Sequence, residues 1–102
     1  MNRDEIIAAL RDHEPELPAA GAASLSLVGS TARGDEQANS DIDILVRLDA
    51  DRDRRGFAYF GTIERLARQI ETIVGRTVDV IAEPVRKPSL RRAVEQDRVV
   101  AF

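Results

Sequence analysis

The sequence predicts an α/β (α+β) fold, a small mixed β-sheet with helices packed against it, on three observations. Apolar residues recur at helical spacing near the start, "MNRDEIIAALRDH", and again over roughly 55–74. Short runs rich in Val, Ile and Leu separate these stretches, and the clearest, "DIDILVRL" at 41–48, alternates with a period of two. The elements then follow one another as helix, strand, short helix, strand, helix, strand, helix.

Each element has a local cause. Asn2 is placed to cap the first helix with Glu5 three positions on, and Ile6, Ile7 and Leu10 share a face. Pro15 and Pro18 close it. "ASLSLVGS" supplies a strand at about 24–29, after which Gly29 and Ser30 open a turn or short helix through Arg33 and Gly34. In 41–48, Ile42, Ile44, Val46 and Leu48 lie on one face, with Asp41, Asp43, Leu45 and Arg47 on the other. The long helix carries a stripe of Ile63, Leu66, Ala67, Ile70, Ile73 and Val74, and Gly75 stands just past its end. "TVDVIA" (77–82) is the third strand. "PSLRRAVEQD" is a short amphipathic helix with Leu90, Ala93 and Val94 expected to face inward, and "RVVAF" is a small strand or an apolar tail.

Composition narrows the chemistry. The 102 residues are the size of one domain, 1–102, and 43% apolar content supports a modest core. With no cysteine, disulfides and thiolate metal sites are excluded. His13 is the only histidine and is expected to face solvent; neither a His-based zinc site nor a Ser-His-Asp triad can be built. No run is long and apolar enough for a membrane span and "MNRDEIIAAL" is not a signal peptide, so a soluble, cytoplasmic protein is expected. The net charge of −3 argues against DNA or other long nucleic acid as a partner. The charge is uneven, acidic from Asp35 to Asp43 and basic in "VRKPSLRR" (85–92), which suits a metal–nucleotide complex. A basic helix start is more often a solvated face, and "FAYF" (57–60) has aromatics for both core and interface.

Three features carry chemistry together. Asp41 and Asp43, at i and i+2, project from one face of their strand, and Asp79 in "VDVI" joins them if its strand is the neighbour. Three clustered carboxylates repel one another, and a divalent cation reverses that penalty. Oxygen donors without His or Cys point to Mg²⁺, with Mn²⁺ as the alternative. Gly29 lets backbone approach an anion, the amides of the following turn lack helical partners, and Ser30 adds a hydroxyl. Singly, each has a plain reading: a capped turn, a solvated strand face, an edge strand that tolerates a carboxylate. Their order and spacing favour one phosphate-and-metal site.

"GSTARG", then "SDIDILV", then "GRTVDVI" resemble the minimal nucleotidyltransferases (MNT) of the DNA polymerase β-like superfamily over residues 24–82. The resemblance implies a nucleotidyltransferase (polymerase β-like) fold. It also implies that Gly29 and Ser30 bind triphosphate, that Asp41 and Asp43 ligate two Mg²⁺ ions, and that Asp79 ligates the metal activating the acceptor and acts as its general base. Arg33 assists with phosphate or ties the loop after the turn, with a lean to the second. All motif parts are present, so activity is expected. With no substrate domain in the chain, the acceptor is expected to come with a partner. In the family that partner is commonly a HEPN-domain ribonuclease toxin, neutralised by transfer of AMP from ATP to a tyrosine, by tight binding, or by both. A binding-only antitoxin and a nucleotidyltransferase acting on a small molecule or RNA end are the other readings.

Overall fold

The computed structural model describes residues 2–17, 22–34, 41–48, 57–83 and 85–102, with 57–60 described by backbone alone. The expectation for the "FAYF" aromatics therefore lies outside the described side chains. In chain order the elements are α1 (Arg3–Asp12), β1 (Ala22–Val28), α2 (Gly29–Arg33), β2 (Ile42–Leu48), α3 (Phe57–Val74), β3 (Val78–Ala82), α4 (Pro88–Asp97) and β4 (Val99–Val100). The strands form one mixed sheet in the order β3-β2-β1-β4. β1 runs antiparallel to β2 and β4, while β2 and β3 are parallel and joined through α3.

The capping box at the head of α1 is formed: the Asn2 side chain accepts from the Glu5 amide, and the Glu5 side chain accepts from the Asn2 amide. Ile6 and Leu10 are fully buried and Ile7 partly so. His13, at the helix end, is half-exposed, its Nδ1 lying 2.9 Å from Glu16 Oε2. In α3, Leu66, Ile70 and Val74 are the buried ridge. They pack with α1 onto the sheet face made by Leu25 and Leu27 of β1 and by Ile42, Ile44, Val46 and Leu48 of β2. One dry face of the sheet is thus built from residues two apart on each strand.

The opposite face is covered only in part. Val28, Leu45, Val85 and Val94 form a smaller buried cluster beneath α4, with Ile81 at its margin. Here the inward face expected for α4 needs correction: Val94 is buried, but Leu90 is 37% exposed and Ala93 is exposed. Of these positions only Val94 joins the cluster, and Leu90 and Ala93 stay outside it. The "RVVAF" segment becomes β4, where Ser26 and Leu27 pair with Val100 and Val99. Arg11 Nε fastens it to α1 with a 2.6 Å bond to the Ala101 carbonyl.

Candidate active site

The half-covered face carries the carboxylates. In the β2–β3 ladder Asp43 stands directly opposite Asp79, as Ile42 does Val78 and Leu45 does Ile81. The two side chains therefore leave the same face from strands about 5 Å apart. Across the other ladder Asp43 pairs with Val28, the last residue of β1, so it also lies beside Gly29. Asp41 sits just ahead of β2 and is exposed; Asp43 is half-buried; Asp79 lies exposed on an edge strand.

The head of β3 is held by the end of α3. The Gly75 amide donates to the Glu71 carbonyl at 2.8 Å, and Gly75 turns the chain at φ +69°. The Glu71 carboxylate then accepts the Val78 amide at 3.1 Å, and the Ile42 amide donates to the Thr77 carbonyl at 3.0 Å. This fixes the register that brings Asp79 to Asp43.

Gly29 is required twice over. Its φ of +68° disfavours any side chain, and a Cβ there would stand 2.6 Å from Asp43 Oδ2, inside van der Waals contact. The turn backbone and the Asp43 carboxylate thus meet as closely as a glycine allows. No side chain caps α2, whose preceding residue is Val28, and Ser30 is half-buried in its first turn. Gly34 ends α2 at φ +78°.

The electrostatics reflect this crowding. Burial, then the Asp79 charge, then the Asp41 charge hold the Asp43 carboxyl above its ordinary value of 3.8. Among the described residues no group of three His, Cys, Asp or Glu side chains stands close enough to hold an ion as placed. Asp79 and Asp41 are each near enough for their charge to act on Asp43, the central member of the row. The donor set fits a hard cation such as Mg²⁺: all oxygen, on adjacent strands in register, with a backbone turn pressed against the central ligand.

Arg33 is engaged elsewhere. Its Nη1 lies 2.6 Å from Asp97 Oδ2 at the end of α4, tying the Gly-Ser helix to the helix over the site face. Arg3 adds a second tie, 3.0 Å to the Ala32 carbonyl. Sequence reasoning missed the Arg98 bridge: Nε donates to the buried Ser26 Oγ at 3.0 Å, and Nη1 pairs with Glu83 Oε1 at 2.9 Å. No local pattern announces a bond across 72 positions. The one visible signal was Leu45, an apolar residue between Asp43 and Arg47 on the face expected to be polar. It is buried under α4.

Comparison with known proteins agrees with the fold. The family model "Nucleotidyltransferase domain" matches residues 3–101. The chain is 32% identical over 77 residues to "Putative protein adenylyltransferase MJ1379" of Methanocaldococcus jannaschii, covering 74% of this chain and 73% of that one. A solved "putative minimal nucleotidyltransferase" is 29% identical and superposes with a TM-score of 0.73, covering 97% of this chain and 95% of its own. A chain from a toxin–antitoxin crystal structure with AMP-PNP is 25% identical with a TM-score of 0.65, covering all of this chain and 73% of its own. A mixed sheet with Asp43 and Asp79 in register, a Gly-Ser turn against Asp43, and a family match over nearly the whole length lead to one conclusion: the chain belongs to the nucleotidyltransferase domain family, as a nucleotidyltransferase of the minimal kind.

Proposed function

We propose that this single-domain chain transfers AMP from ATP to a hydroxyl, a tyrosine by family resemblance, on a HEPN ribonuclease toxin and thereby acts as its antitoxin. The observation that carries the reading is the contact between the Gly29 turn and Asp43, with Asp79 opposite on the next strand. A triphosphate on the Gly29–Ser30 turn would bring its α-phosphorus to the carboxylates. The likeness to a toxin–antitoxin chain with an ATP analogue and to MJ1379 supports ATP and a protein acceptor.

Asp41, Asp43 and Asp79 would hold the divalent ions, which when bound supply charge neutralisation for the phosphates and acidify the acceptor hydroxyl. Asp79, exposed on the edge strand, accepts the hydroxyl proton. The acceptor oxygen forms its bond to the α-phosphorus as the bond to the bridging oxygen breaks, and pyrophosphate leaves toward Gly29 and Ser30. Arg33, held by Asp97, keeps α2 in place beneath the leaving group.

A second reading is neutralisation of the toxin by binding alone. Intact-mass spectrometry of the cognate toxin separates the two. Incubated with this chain, ATP and Mg²⁺, the toxin gains one or more adenylyl masses with wild type and none with the Asp41→Asn, Asp43→Asn double variant. Asp79→Asn also gives no adduct while still binding ATP. An inhibited, stably bound toxin of unchanged mass would establish binding-only neutralisation instead.

A further inference from the structure

A cleft of about 500 Å³ opens on the same sheet face as the carboxylates, between β2, the segment after β3, and α4. Its floor is apolar, from Leu45, Val85 and Val94, and its rim is charged, with Arg47, Arg91 and Glu95. Leu45 is two residues beyond Asp43, so the floor begins about 7 Å along the strand from the central carboxylate. The size and the mix of apolar floor and few polar groups are those of a small-molecule site.

The geometry points to this cleft as the site for the adenosine of ATP, an assignment resting on the reaction proposed above. In an in-line displacement the attacking oxygen, the phosphorus and the leaving oxygen lie on one axis. Pyrophosphate leaves toward Gly29 at the end of β1, and the acceptor approaches past Asp79 on β3, so that axis crosses the strands. The nucleoside ester oxygen is equatorial and leaves the phosphorus at right angles to it, in a plane that includes the strand direction. Along β2 beyond Asp43, within reach of that plane, lies the cleft. The acceptor arrives from the opposite side to the pyrophosphate, over the exposed edge strand, and does not compete for this space.

The lining suits a base and a ribose. Arg91 is anchored by its Nε bond of 3.2 Å to the Val85 carbonyl, which holds a guanidinium at the rim where it can stack on a purine. Arg98 is fixed between Ser26 and Glu83, closing one wall. The Glu95 carboxylate is an acceptor for ribose hydroxyls or an exocyclic amine.

The test compares ATP with inorganic tripolyphosphate, which shares the phosphates and lacks the nucleoside, each titrated calorimetrically in Mg²⁺. An Arg91→Ala, Glu95→Ala double variant should bind ATP about tenfold more weakly, the size of one lost stacking contact, with tripolyphosphate affinity unchanged. Arg47→Ala, which leaves the Arg91 bond intact, should weaken ATP selectively as well. Parallel loss of both ligands, or no loss of either, overturns the assignment. Weakened toxin binding with ATP affinity unchanged does so too, and makes the cleft a partner contact. If wild type binds neither ligand, the phosphate site itself is wrong and the cleft assignment falls with it, a failure visible before any variant is made.

Discussion

The two faces of β2 do opposite work from alternate residues of one strand. Ile42, Ile44 and Val46 are fully buried against α1 and α3, whereas Asp43, one step away, leans over a glycine and is repelled by two other carboxylates. The dry face supplies the stability that the wet face spends. Because a strand cannot shift by one residue without exchanging its faces, the packing that buries Ile44 also holds Asp43 opposite Asp79. Precision at the site comes from apolar residues that never touch it.

The largest effect should come from breaking the dry face. Ile44→Ala removes a fully buried side chain at the centre of the sheet and should cost about 3 kcal/mol in chemical denaturation. A cost under about 1 kcal/mol would mean that the core does not hold the register. Gly29→Ala, on the wet side, should cost about 1–2 kcal/mol for its left-handed backbone and should weaken ATP binding as the Cβ displaces the Asp43 carboxylate. Unchanged ATP affinity in calorimetry would show that the turn does not meet the triphosphate.

The smallest effect has the opposite sign. With the Asp43 pKa raised by folding, the ionised group opposes folding at neutral pH. That penalty is absent below the ordinary value of 3.8 and is fully present once pH has risen past the raised folded value. Without divalent cation, Asp43→Asn should therefore raise the melting temperature at pH 7, by less than either substitution above lowers it. The gain should vanish near pH 3.5. A loss of stability at pH 7 would show that the carboxylate is compensated in the free protein.

Periodicity made the dry face legible: the α3 stripe, the alternation of 41–48 and the Asn2–Glu5 box all describe neighbours within a turn or a strand, where pattern and contact coincide. The carboxylate row was legible because Asp41 and Asp43 stand two residues apart at the head of β2, and Asp79 needed only the parallel β2–β3 pairing that a crossover through α3 allows. The wet face was read less well. Leu90 and Ala93 have helical spacing but no matching apolar surface beneath them, and periodicity cannot report the size of the receiving patch. The Arg33–Asp97 and Arg98–Ser26 ties join residues 64 and 72 positions apart, and nothing local marks either partner.

The Arg98 bridge also sets a schedule. A ribosome delivers Asp41, Asp43 and Asp79 before it delivers Arg98, and β1 cannot gain β4 as its second neighbour until residues 99 and 100 emerge. A nascent chain ending short of that point can possess the whole acidic row while Ser26 lacks its donor, the wall closed by Arg98 is missing and one edge of β1 is bare. The Arg98 tie and the 99–100 strand therefore close this wall last, so the acidic row is present in the chain before the cleft beside it is complete.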